Sequence, residues 1–179
     1  ISALFGYGQF SENSVVNSAR ALYYFSFGLP AFAIIKVLSN FFFANHDTKT
    51  PFYVSLISVL LNIIISIYFF QSVGFIIIPI ATTISSWINS IVLFYFLYKK
   101  ELFRFNNIFV TRFLKILLSS LLMGLFFNYL IILFNDQLAF ENPLKSVYLI
   151  LSVVLGLSFY LLVSYFIKAF QLNDIKLKY

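Results

Sequence analysis

The sequence predicts an all-α, polytopic integral membrane protein, and three observations predict it. Hydrophobic residues fill 61% of the 179 positions and charged residues only 10%, whereas a soluble domain carries about a quarter charged residues to cover its surface. Five apolar stretches each approach or exceed the ~20 residues a helix needs to cross a hydrocarbon core of ~30 Å. Lysine and arginine, finally, gather on alternate connectors between those stretches.

The stretches run over residues 19–43, 52–70, 75–98, 109–134 and 146–170, with polar connectors at 44–51, 71–74, 99–108 and 135–145. Backbone groups in lipid must be satisfied internally, so each span is a helix or part of a closed barrel. A barrel strand alternates polarity at every second residue. Runs such as Ile63-Ile64-Ile65 and Phe75-Ile76-Ile77-Ile78 do not alternate, which leaves helices. The chain opens on Ile1, and residues 1–14 mix Gly, Gln, Glu, Asn and Ser rather than forming a signal peptide. A piece of a longer protein is therefore expected.

Charge sets the orientation. One side of the membrane would hold Lys49, Lys99, Lys100, Arg104, Arg112, Lys115, Lys168, Lys176 and Lys178, and the other only Arg20 and Lys145. The side with nine is expected to be cytoplasmic, C-terminus included. The implied organisation is a periplasmic stub at 1–18, three helices over 19–98, a basic cytoplasmic loop at 99–108, two helices over 109–170 and a cytoplasmic tail at 171–179. The net charge of +6 is spread by this pattern and forms no patch for nucleic acid.

Polar residues recur within the spans at helical spacing. Ser55, Ser58, Asn62 and Ser66 share one face. Thr82, Ser86, Asn89 and Ser90 share another, with Thr83 and Ser85 beside it. Ser120, Gly124 and Asn128 make a third stripe, and Ser152, Gly156, Tyr160 and Ser164 a fourth. Small and hydroxylated faces let helices approach closely and hydrogen-bond. An amide costs more in hydrocarbon than a hydroxyl does, so Asn62 and Asn89 point to a partner helix or to a wet cavity that meets substrate. Asn62, Ser66 and Thr82 are a candidate set of oxygens for a small cation, although no carboxylate lies in any span and hard cations favour one.

Lys36 lies ~10 Å from the cytoplasmic end of its helix at 1.5 Å per residue. It either snorkels to the interface or faces a cavity and meets an anionic substrate; Arg20 reads as an interfacial anchor. Pro30 and Pro79 each remove a backbone donor, so a kink is expected at each. In the loop Asp47-Thr48-Lys49-Thr50-Pro51, Thr50 reads as the cap of the next helix and Pro51 as its first turn. Cysteine is absent and His46 is the single histidine, so no metal centre is expected. Without a phosphate-cradling Gly-rich loop, a Ser-His-Asp set or paired intramembrane carboxylates, neither catalytic residues nor an enzyme are expected.

Linked motifs resemble one family. Leu4-Phe5-Gly6-Tyr7-Gly8-Gln9-Phe10 is similar to the LF-x-x-G-x-F segment of MurJ (MviN) proteins. Ala21-Leu22-Tyr23 through Gly28-Leu29-Pro30-Ala31-Phe32, and then Lys36-Val37-Leu38, resemble the AL-x-x-Y-x-x-GLPAF helix and the KVL after it. Phe42 through Pro51 is similar to FYARGDTRTP; Asn62, Gly74, Ala81-Thr82 and Trp87-Ile88-Asn89 follow in order. The resemblance covers residues 4–97; beyond them, the basic loop and the two-helix pattern match.

The resemblance implies helices ten to fourteen of a fourteen-helix flippase in the bacterial inner membrane, within the multidrug/oligosaccharidyl-lipid/polysaccharide exporter superfamily. Such a protein moves lipid II, the undecaprenyl-linked peptidoglycan precursor, to the periplasmic leaflet by alternating access. Residues 109–134 and 146–170 would supply the groove for its lipid tail. Implied partners are lipid II, membrane lipids and the rest of the same chain, whose upstream helices carry the principal substrate-binding residues. No cofactor is implied, and coupling falls to a monovalent cation or the membrane potential. An exporter of another undecaprenyl-linked glycan or of a drug, and a non-transporting membrane scaffold, are the alternatives. Two departures stand out: His46 where Gly is usual, and Ser66 where some members are acidic, which counts against the cation site.

Overall fold

The computed structural model describes residues 1–5, 11–102 and 107–169. They form seven α-helices: α1 (Ser2–Phe5), α2 (Glu12–Ser26), α3 (Leu29–Ala44), α4 (Lys49–Val73), α5 (Ile77–Lys99), α6 (Asn107–Leu133) and α7 (Lys145–Phe166), with a 3-10 turn at Gly74–Ile76 between α4 and α5. Among the described residues there is no strand. Gly6 through Phe10, Arg104, Lys176 and Lys178, which carried part of the motif and charge reading, lie outside the described residues.

Four helical stretches are long and apolar enough to cross a membrane: Glu12–Ala44, Lys49–Lys99, Asn107–Leu133 and Lys145–Phe166. The second holds 51 residues, ~75 Å of helix at 1.5 Å per residue and more than twice a bilayer core. It folds back at Gly74, whose φ of 72° is left-handed. Hence α4 and α5 are each long enough for a crossing of their own, and the chain is a multi-pass membrane protein. Its outward faces suit lipid: Ile67, Tyr68 and Phe166 are each more than 70% exposed, a surface that would aggregate in water.

The chain divides into two units, Val16–Arg104 and Ile1–Val15 with Phe105–Tyr179. In the first, α4 runs antiparallel to α5. Ser55 meets Asn89 and Asn62 meets Thr82, so a step of seven along α4 is a step of seven back along α5. α3 runs parallel to α5, and a core of Leu38, Phe42, Val54, Leu93 and Leu97 closes their shared end. In the second unit α6 packs on α7. Ser119 and Leu130 of α6 are buried with Ser152, Gly156 and Ser164 of α7, and Phe126 stacks on Phe159 at 4.3 Å. A Cβ on Gly156 would stand 3.3 Å from Phe127.

One expectation changes here. Ser120, Gly124 and Asn128 are exposed, because α6 turns its neighbouring face, with Ser119, toward α7; the aromatic rings of Phe126 and Phe127 fill the contact that small residues were expected to make. Residues 12–18, within the segment read as a stub, are the first turns of α2. Ser11 caps that helix, its Oγ accepting from Ser14 N at 3.3 Å, and Glu12 favours its positive end.

Candidate functional site

The first apolar stretch is interrupted in mid-span. α2 ends at Ser26 and α3 starts at Leu29, so Pro30 stands in the first turn of α3, where a missing N–H costs nothing. The sequence reading expected a kink within one helix; the chain instead breaks at Phe27 and Gly28. A break in a membrane helix leaves carbonyls that need donors, and α5 supplies them. Thr83 Oγ1 donates to Tyr24 O at 2.8 Å and Trp87 Nε1 donates to Phe27 O at 2.9 Å. Gly28 permits the approach, since a Cβ there would stand 3.1 Å from Thr83 Oγ1 and 3.2 Å from Phe25 O. Pro79, by contrast, is buried in the first turn of α5, just after the 3-10 turn, and its missing donor again falls where no intrahelical acceptor is needed.

Alongside this clasp runs the polar seam between α4 and α5. Ser66 Oγ donates to Asn62 Oδ1 at 3.2 Å, Asn62 Nδ2 donates to Thr82 Oγ1 at 3.0 Å, and Thr82 Oγ1 donates to Ile78 O at 2.8 Å. The three residues singled out as cation ligands therefore come together. They do so as a relay of hydrogen bonds between neutral groups, and a cation would have to displace part of it. Among the described residues no cluster of His, Cys, Asp or Glu could hold a metal ion. Asn89 lies two turns further along α5, 7% exposed, with its Nδ2 at 3.5 Å from Ser55 Oγ.

Lys36 is not brought to either asparagine. Ala31, Leu38 and Phe42 form the buried face of α3, whereas Lys36 is exposed on the other side.

The motif loop is a tight corner with two linked ends. Asp47 N donates to Phe42 O at 2.9 Å and His46 N to Phe43 O at 3.0 Å, the paired bonds of a Schellman helix end. His46 holds the left-handed position at φ 56°, which explains a preference for Gly there. Asp47 then caps α4: its Oδ1 accepts from Thr50 N at 3.0 Å and its Oδ2 from Thr50 Oγ1 at 2.7 Å. The sequence reading gave the capping role to Thr50. Asp47 takes it because a carboxylate accepts from both Thr50 groups and suits the helix's positive end. Thr48 and Lys49 are exposed and Pro51 is buried in the first turn.

Lys100, just past α5, closes the corner with an ion pair to Asp47 and lies 5.7 Å from the Phe42 ring centroid. Its ammonium, then the N–H and hydroxyl of Thr50, hold the Asp47 carboxyl well below the usual carboxylate range. Sequence reasoning missed Lys100, Thr83 and Trp87 as partners. Gly28-Leu29-Pro30 was the available signal for the last two, since a broken helix demands donors nearby.

Most of the chain is similar to known proteins. The family profile for the lipid II flippase MurJ matches residues 1–149. The chain belongs to the MurJ family. A probable lipid II flippase MurJ of Thermotoga maritima is 31% identical over 175 residues, 98% of this chain and 33% of the relative. That of Rhizobium tropici is 29% identical over 178 residues, 98% of this chain and 33% of the relative. A MurJ of Rhizobium meliloti reaches 37% over 94 residues, 52% of this chain and 18% of the relative. The chain thus spans about one third of the length of the MurJ proteins it matches along most of its own length.

Proposed function

We propose that this chain is the C-terminal part of a lipid II flippase of the bacterial inner membrane, which carries the undecaprenyl-linked precursor from the cytoplasmic to the periplasmic leaflet. Membership of the MurJ family supports the substrate. The nine-to-two distribution of basic residues supports a cytoplasmic Asp47 corner and C-terminus. Partners are lipid II, membrane lipids and the remaining helices of the same protein, and the role is transport without catalysis.

The interrupted α2–α3 span carries the mechanism. Transporters commonly pair broken helices with alternating access, because irregular backbone persists at membrane depth only against protein or a cavity. The Thr83 and Trp87 side chains hold the break against α5 and make it a joint where the bundle can rock. Lys36, on the exposed face of α3, is free of that packing and turns toward the substrate path; Asn62 and Asn89 set the seam that moves with it. Coupling by a monovalent cation requires the relay at Asn62, Ser66 and Thr82 to open; coupling by the membrane potential requires no such site. The α6–α7 pair supplies the groove for the lipid tail.

The test is complementation by the full-length protein in cells depleted of their own flippase. Growth together with lipid II in the outer leaflet supports the reading; normal membrane expression without either overturns it.

A further inference from the structure

The Asn89 amide is enclosed and half-satisfied. Its Nδ2 reaches Ser55 Oγ only at 3.5 Å, too long for a firm bond. Its Oδ1 is buried and, among the described residues, meets no donor. Neighbouring hydroxyls on both helices are already spent on their own backbones. Ser58 donates to Val54 O at 3.0 Å, Ser86 to Thr82 O at 2.6 Å and Ser90 to Trp87 O at 2.9 Å. The seam at this level is rich in acceptors and short of donors. Asn62 and Thr82, two turns away, show the contrast: they bond directly at 3.0 Å.

We infer that Asn89 Oδ1 and Ser55 Oγ hold one buried water molecule between α4 and α5. The missing partner must donate, which excludes a carbonyl or carboxylate. It must also be small, because Asn89 is 7% exposed and a headgroup or another helix cannot enter without parting α4 from α5. Water meets both conditions: it donates to the amide oxygen and accepts the Ser55 hydroxyl proton, and buried waters typically serve such groups. A wet point inside the hairpin gives α4 and α5 a contact that can be remade as they slide.

The test uses the full-length protein in lipid bilayers, labelled at asparagine, with magnetisation transferred from water to the side-chain amides by solid-state NMR. Asn89 is assigned by the signal lost in Asn89→Leu, or in Asn89→Ser should the leucine variant not fold. Transfer to Asn89 within about twofold of that to the exposed Asn45 is expected, and it persists in Ser55→Ala because the water keeps its bond to the amide. Transfer no faster than that to lipid-facing side chains overturns the inference. So does an Asn89 signal that stays dry while Ser55→Ala lowers the unfolding temperature, since the amide would then be turned to bond Ser55 directly.

Discussion

The hydroxyl of Thr83 in α5 donates a 2.8 Å hydrogen bond to the backbone carbonyl of Tyr24, three residues before the break that separates α2 from α3. A side chain thus replaces the helical donor the chain gave up at Phe27 and Gly28. Thr83→Val keeps the shape and removes the donor. Measured hydrogen bonds in membrane proteins average below 1 kcal/mol and reach nearly twice that, so a loss of ~1 kcal/mol is expected in unfolding from bilayers. Thr83→Ser should keep most of the stability.

Gly28 is the other half of the clasp. In Gly28→Ala the methyl meets Thr83 Oγ1 and Phe25 O at 3.1 and 3.2 Å, closer than ordinary contacts, and the carbonyl is backbone that cannot swing aside. Overpacking of this kind costs ~1–3 kcal/mol. Transport should fall more than expression does, read as outer-leaflet lipid II per copy of membrane protein. Equal transport per copy would show that the break can widen freely.

The Asp47 corner predicts a pH response. Its folded pKa is depressed, first by Lys100 and then by Thr50, from an ordinary value of 3.8. A depressed carboxylate stabilises the fold fully above its unfolded pKa and loses that contribution as pH falls through the folded one. The corner should therefore hold unchanged at neutral pH and weaken only below about pH 4. Asp47→Asn should remove this acid step, and Lys100→Gln should move the Asp47 midpoint, followed by carboxyl NMR, up toward the ordinary value.

His46 occupies the left-handed position of the helix end at φ 56°. A non-glycine residue there bears a penalty of ~1–2 kcal/mol, partly offset by the greater freedom glycine gains on unfolding. His46→Gly should stabilise the corner by ~0.5–1 kcal/mol, and His46→Val should destabilise it; equal melting of all three forms would contradict the assignment.

Much of the fold was legible because lipid restricts the choices. Apolar length, charge asymmetry and the need for internally bonded backbone place the α4, α5, α6 and α7 spans within a few residues of where they lie. The seam was legible too, since helical spacing puts Asn62 and Thr82 on facing stripes. What escaped was set by rotation and distance along the chain. Ser119 and Ser120 are equivalent by composition, and only the packing of Phe126 and Phe127 selects the buried one. Lys100 and Asp47 stand 53 positions apart, and a charge count assigns both to one side without pairing them. The break escaped because a proline inside a long apolar run reads equally as a kink or as a first turn; the donors of Thr83 and Trp87 decide between them.

The most direct measurement is outer-leaflet lipid II in flippase-depleted cells expressing the full-length protein, compared for the natural chain, Lys36→Ala, and the double variant Thr83→Val with Trp87→Phe. Rescue by the natural chain is predicted, with transport reduced at least tenfold in the double variant and clearly lowered in Lys36→Ala at equal membrane abundance. Full rescue by all three would contradict a transport role for the broken span and favour a scaffold; failure of the natural chain itself would contradict lipid II as the substrate.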